Sequence, residues 1–252
     1  MKKIAVFIVL ALVIFVGVGV AVASHSWGGY HWARTANPFT LKLGDNVSIA
    51  WDSILATAST DWSVSTVLNT TVVAGQGKAS CRATRGRVEV CNKTYGNTGW
   101  LGVAQIWVSG SHIVQGTVKA NDTYFNTPTY NTTAWRNLVM CQEIGHTFGL
   151  DHQDENFVNP NLGTCMDYTN DPSTNQHPNQ HDYDQLGTIY GHLDSITTLS
   201  QSLLGTGQRR DKFENSAKWG KGLRKDGHGR TSLYERDIGK GEKVFTFVIW
   251  AD

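Results

Sequence analysis

Three features of the 252-residue sequence predict an α+β fold: a strand–helix–strand opening between residues 39 and 74, three further β-branched runs, and one long amphipathic helix after them. The composition, with 40% apolar residues, 17% charged residues and 9 Trp, excludes disorder, collagen-like repeats and coiled coil as the main architecture.

The elements follow in order. Met1–Ala23 opens on Lys2 and Lys3 and then carries no polar side chain from Ile4 to Ala23. Its length approaches the ~20 residues that span a bilayer, yet Ala21-Val22-Ala23 is a small-x-small cleavage signal. A cleaved signal peptide is favoured over an uncleaved anchor, and either one places the rest of the chain outside the cell. An aromatic, loop-like stretch around Trp27, Tyr30 and Trp32 precedes a strand at Phe39–Leu43 and a turn at Asp45 and Asn46. Ile49, Trp51, Ile54, Leu55, Ala58 and Trp62 then follow helical spacing over 48–64, and 65–74 is a Val/Thr-rich strand. Arg87–Cys91, Val103–Val108 and Ile113–Val118 bring the strands to about five, and a polar connection spans 121–133.

Thr132 or Thr133 can cap the next helix, whose stripe of Trp135, Leu138, Val139, Ile144 and Phe148 runs to Gly149. A long loop at 151–181 leads to a helix over 183–193. The remainder is basic and Gly-rich and ends in a hairpin over 233–250 that turns at Gly239-Lys240-Gly241. Charge is unevenly spread. Residues 24–204 hold 9 Lys/Arg against 14 Asp/Glu, and 205–252 hold 11 against 7. The basic part therefore either attracts anionic cell-surface polymers or docks on the acidic body, and docking is favoured.

All four cysteines follow the leader, and neighbour pairing, Cys81 with Cys91 and Cys141 with Cys165, is the simplest of the three connectivities in an oxidising compartment. Sequons at Asn46, Asn69, Asn92, Asn121 and Asn131 fit an exported chain but discriminate little.

The chemistry lies in residues 142–152, QEIGHTFGLDH. Glu143 and His146 share the end of the long helix; Gly149 can break it and return His152 to the same point, so that two imidazoles converge on one metal with a carboxylate beside it. Asp151, Asp154 and Glu155 either orient those imidazoles or form solvated loop charge, which is the expectation. His177, His181 and His192 are expected as surface or capping residues.

This stretch resembles the metzincin zinc-peptidase signature HExxHxxGxxH, and Cys165-Met166-Asp167-Tyr168 resembles its Met-turn. The order of elements over 27–195 is most similar to the matrixin-type peptidases, whereas 196–252 matches no standard matrixin segment. The resemblance implies a metzincin-like domain with a mixed sheet of about five strands, an active-site helix, a Met-turn and a C-terminal helix. It also implies Zn2+ as cofactor, His146 and His152 as ligands, Glu143 as general base and Met166 as the hydrophobic base of the site. The implied reaction is hydrolysis of peptide bonds by metal-activated water.

The family's first ligand is histidine, and Gln142 stands in its place. An amide oxygen has comparable reach but suits harder ions, so zinc affinity should be lower. Tyr168 stands where some branches supply a further ligand or stabilise the oxyanion; it is either that or a packed tyrosine. A Cys141–Cys165 bridge would tie helix to turn and contribute about 3 kcal/mol in the chain-entropy picture. The strand at Val103–Val108 would bind an extended peptide by edge pairing. No cysteine lies between Ser24 and the domain, so a cysteine-switch form of latency is not expected. The expected protein is a secreted or surface-tethered, monomeric metalloendopeptidase acting on protein or peptide, with no nucleic-acid partner. A catalytically silent binding protein of the same fold is the alternative.

Overall fold

Phe39, Leu41 and Leu43 are buried while Thr40 and Lys42 between them are exposed, the period-two pattern of a strand with one face on a core. That strand, β2 (Phe39–Asn46), belongs to a sheet of nine strands among the residues that this computed structural model describes, 25–76, 80–200 and 216–252. The expected leader at 1–23 and the start of the basic extension at 201–215 lie outside the described residues.

The other elements are β1 (His31–Trp32), α1 (Ile49–Trp62), β3 (Leu68–Ala74), β4 (Arg87–Lys93), β5 (Trp100–Ser109), β6 (His112–Asn121), α2 (Asp122–Phe125), α3 (Thr133–His146), α4 (Gln180–Ile189), β7 (Lys221–Lys225), β8 (Thr231–Gly239) and β9 (Glu242–Trp250). The strand order is β3-β2-β4-β6-β5-β9-β8-β7, with the short β1 joined to β6. Pairing is parallel from β3 to β6 and antiparallel from β6 onward, so this α+β fold carries a mixed sheet. Parallel neighbours need a crossover, which α1 supplies between β2 and β3.

One face of the sheet carries α1 and α3 over the main core, where Trp51, Leu55, Trp62, Leu138, Ile144 and Phe148 meet Leu41, Val88 and Ile106. On the other face Trp100, Val103, Trp219, Ile238, Val244 and Val248 form a smaller apolar cluster. Strand β9 serves both layers, with Phe245, Phe247 and Ile249 turned to the main core and Val244 and Val248 to the smaller one. The sheet is continuous from the signature-bearing part of the chain into the basic part.

Three elements were not anticipated. β1 is only two residues long and sits inside the aromatic stretch read as loop, α2 is a single turn in the polar connection, and β7 has a mostly exposed surface with no alternation to mark it. The predicted turn at Asp45 and Asn46 is instead the end of β2, held by pairing to β3 and β4 on both sides. Helix α4 starts at Gln180 rather than 183 because Asn179 and Asp182 form a reciprocal capping box. Both neighbour disulfides are formed, Cys81–Cys91 and Cys141–Cys165, with Cα separations of 6.0 and 5.9 Å. No helix among the described residues is long and apolar enough to cross a membrane.

Candidate metal centre

Helix α3 positions the site. Thr132 caps it by accepting from the Trp135 amide at 3.2 Å, and Leu138, Val139, Met140, Cys141 and Ile144 are buried along its core-facing side. Past His146 the chain continues for one tighter turn, with the Gly149 amide donating to the His146 carbonyl. Gly149 has φ +97°, and a Cβ there would stand 2.3 Å from the Tyr30 carbonyl oxygen, so only glycine permits both the reversal and the close approach of the N-terminal segment. The reversal returns Leu150 and His152 to the helix end.

The two imidazoles then meet, Nε2 to Nε2, at 3.0 Å. His146 Nδ1 lies 2.9 Å from the Leu150 carbonyl, and His152 Nδ1 lies 2.7 Å from the Glu155 carboxylate. Both partners can only accept, so each Nδ1 carries a proton and each ring turns its Nε2 toward the other. Burial, reinforced by His152 alongside, holds the His146 imidazole well below its ordinary 6.5, in the neutral form. Nε2 atoms this close share one proton between them or hold one metal ion. Zinc ligands about 2.1 Å from a tetrahedral ion stand roughly 3.4 Å apart, so a modest relaxation would accommodate the ion.

Gln142 and Glu143 are buried beside this pair. The Gln142 amide donates from Nε2 to the Cys165 carbonyl at 2.9 Å, which leaves its Oε1 buried with no hydrogen-bond partner, an oxygen with the chemistry of a metal ligand. The Glu143 carboxylate lies against Gly102 of β5, and burial pushes it well above the ordinary 4.5. Backbone amides of Ala104 and Ile249 pull it the other way, although neither carboxylate oxygen has a hydrogen bond of good geometry. Met166 packs its sulfur beneath Gly145 on α3, and the Cys141–Cys165 bridge fixes the same turn one residue earlier. Tyr168 sets its ring 4.2 Å from that of His152 and donates from its hydroxyl to the Val248 carbonyl at 3.3 Å.

Strand β9 roofs the site. Phe247 stacks on the His146 imidazole with ring centroids 4.0 Å apart and planes 14° from parallel. The β5 edge that the resemblance assigns to a bound peptide is taken by the chain itself, with Val103 opposite Val248, Ala104 opposite Phe247 and Ile106 opposite Phe245. A hollow of about 340 Å³ lies alongside, lined by Tyr130, Trp135, Phe157 and Ile249 among others, and it includes none of Gln142, Glu143, His146 and His152.

The acidic run is not solvated loop charge. Glu155 accepts from His152 and also lies 3.2 Å from Arg224 Nε, while Asp151 lies 2.7 Å from the other end of that guanidinium. Arg224 belongs to β7, so the basic part docks one cation on the carboxylates behind His152. Sequence reasoning missed Arg224 and Phe247, and no local spacing could have found them, since their contacts depend on how distant strands pair.

No family model matches the chain, and no curated protein does. Among solved structures, myroilysin is similar at 13% identity and a TM-score of 0.39, covering 68% of this chain and 98% of its own. High choriolytic enzyme 1, a hatching-enzyme zinc-protease from the medaka fish Oryzias latipes, is similar at 10% identity and a TM-score of 0.36, covering 66% of this chain and 96% of its own. At these identities the functional reading rests on the geometry of the site itself.

Proposed function

We propose that the chain is an exported, zinc-dependent endopeptidase of metzincin type, described here in a closed form with its own strand β9 in the substrate cleft. The observation that carries this reading is the apposition of two buried imidazole Nε2 atoms at 3.0 Å, each ring oriented by an acceptor behind its Nδ1. His146 and His152 would hold zinc, Gln142 Oε1 is a third donor, and Tyr168 becomes available if its hydroxyl leaves Val248. Zinc bound there supplies Lewis-acid polarisation of a carbonyl and acidifies water.

The remaining steps belong to the chain. Glu143 takes a proton from the attacking water on its carboxylate and returns it to the leaving amine; a carboxyl whose affinity for protons is raised by burial suits both steps. Phe157, Tyr168 and Phe247 exclude bulk water from the imidazoles. A substrate strand would replace β9 along β5, which has the antiparallel hydrogen-bonding edge that an extended peptide needs. The leader, the disulfides and the family resemblance agree on an extracellular setting.

The test is direct. Purified protein should bind zinc and cleave casein-type substrates, and Glu143→Ala should end cleavage with zinc still bound. Absence of zinc, and of cleavage even with zinc added, defeats the proposal. The covering of the site by β9 favours a second reading, a catalytically silent binding protein. Zinc binding without cleavage, both in the parent and in a Phe247→Ala variant that loosens the roof, would select it.

A further inference from the structure

Strand β9 does more than cover the site, because one of its peptide bonds is approached from both sides by groups the reaction would use. Tyr168 donates from its hydroxyl to the Val248 carbonyl at 3.3 Å. On the other side of the same peptide unit, Ile249 is paired with Gly102 of β5, and Glu143 Oε1 stands 2.7 Å from where a Cβ on Gly102 would be. The Ile249 amide faces that carboxylate. In a trans peptide the C=O and the N–H that follows it point in opposite directions, so one flat unit, Val248–Ile249, presents its oxygen to a phenol and its nitrogen to a carboxyl group.

The neighbours fix this register. Strand β9 runs antiparallel to β5 with Val103 opposite Val248 and Ala104 opposite Phe247, and a slip of one residue would exchange the faces of every side chain. Phe247 would then leave the His146 ring and Ile249 the main core, while Val248 would leave the smaller cluster on the far face. Ile249 also forms one wall of the 340 Å³ hollow, together with Tyr130 and Trp135, so open space lies on the nitrogen side of the bond. A second histidine cluster takes no part in this cleft. There His192 Nε2 lies 3.2 Å from Nε2 of His31 on β1, and the Asp194 beside them is already engaged by Arg34 at 2.8 Å.

We infer that the Val248–Ile249 peptide bond occupies the place of the scissile bond, and that the zinc-loaded protein cleaves itself there. The inference rests on the peptidase reading above and adds a substrate to it, an apolar strand of the chain itself. In the step, a water oxygen bonds to the Val248 carbonyl carbon while Glu143 takes one of the water protons. Tyr168 donates to the carbonyl oxygen as charge grows on it, and the C–N bond breaks as Glu143 passes its proton to the Ile249 nitrogen. The new carboxylic acid then gives its proton to the amine. One water is consumed, and a carboxylate at Val248 and an ammonium at Ile249 remain.

Full-length protein freed of metal by a chelator should be given zinc and followed by intact mass and N-terminal sequencing, beside a parallel sample that also contains a casein-type substrate. A species ending at Val248 and a new N-terminus reading Ile249-Trp250 should appear, at a rate independent of protein concentration because the strand is already in place. Glu143→Ala should bind zinc and stay intact, and Tyr168→Phe should slow the cut about 10²-fold. A second measurement needs no metal. In the zinc-free protein, Tyr168→Phe and Glu143→Gln should move the NMR resonances of the Val248 carbonyl carbon and the Ile249 amide nitrogen more than those of any other peptide unit in β9. Casein cleavage with the Val248–Ile249 bond intact, a cut at another bond of β9, or largest shifts elsewhere in the strand would overturn the inference and leave the peptidase reading standing. A cutting rate that rises with protein concentration would overturn its intramolecular form, and cleavage of neither strand nor casein defeats both readings together.

Discussion

The two histidine clusters bring together the same kind of atoms, imidazole Nε2, and differ in what surrounds them. Under α3, His146 and His152 are 1% and 7% exposed, their backs are tied to a carbonyl and a carboxylate, and an aromatic ring from β9 lies on one of them. At β1, His31 is buried with the edge of Tyr190 beside it, but His192 stands half in solvent. The first cluster also has an unpartnered amide oxygen and a buried carboxylate beside it, the groups a reaction needs; the second has an arginine already engaging its only acid. A reactive site calls for unspent polar groups and a controlled covering. An ion-paired cluster that ties chain segments together needs no covering at all.

The largest effect that would break this contrast is on turnover. Glu143→Ala should reduce kcat/KM for a peptide substrate by about 10²–10⁴-fold with zinc retained, measured by cleavage assay and metal analysis together. Persistent cleavage would show that the buried cluster does not use its carboxylate.

Coverage is tested by Phe247→Ala. Loss of a fully buried ring should cost about 3–5 kcal/mol in chemical denaturation, and it should speed removal of zinc from under α3 by a chelator. An unchanged rate would mean that β9 is not the covering of this cluster.

Gln142→His should tighten zinc under α3 on the order of 10–100-fold, read by chelator competition, by replacing an amide oxygen with an imidazole. An unchanged affinity places Gln142 outside the coordination sphere. Gly102→Ala should destabilise by about 1–3 kcal/mol, because the added Cβ would meet Val139 Cγ1 at 2.5 Å and Glu143 Oε1 at 2.7 Å.

The smallest effect concerns the link between the clusters. Tyr190 donates to the Phe148 carbonyl at 2.9 Å and accepts from the Trp32 amide at 3.4 Å, so it joins the end of α3 to β1. Burial pushes its phenol above the ordinary 10.0. The folded protein therefore holds this proton more tightly than the unfolded chain. The resulting stability is present below pH 10 and is lost as pH rises beyond it toward the folded value. Tyr190→Phe should cost about 1 kcal/mol at neutral pH and flatten the alkaline fall in Tm.

Legibility in the sequence tracked the distance over which a feature is built. The α3 motif could be read because helix periodicity and one glycine fix where Glu143, His146 and His152 go. The Cys141–Cys165 bridge joins residues 24 apart and followed from the same local logic. The strands β2 to β6 and the C-terminal hairpin were visible through β-branched runs, alternation and a Gly-Lys-Gly turn. The pairing of β9 with β5 was not, because edge complementarity between residues 100–109 and 242–250 leaves no spacing signal. For the same reason His192, read as a surface residue, gave no sign of meeting residue 31. Asp151 and Glu155 were misread as solvated because their cationic partner, Arg224, comes from a short strand with no pattern of its own.

The roof over His146 also imposes an order in time. Residues 142–152 leave the ribosome well before 242–250, and long-range antiparallel pairing is slow compared with forming a helix and its turn. The histidine pair thus exists first as an open bowl and only later as a sealed one. An ion that arrives before β9 docks is enclosed by folding, and one that arrives afterwards must wait for the strand to leave. If the chain holds zinc as proposed, its metal content would record the compartment in which β9 closed rather than the solution in which the protein is later found.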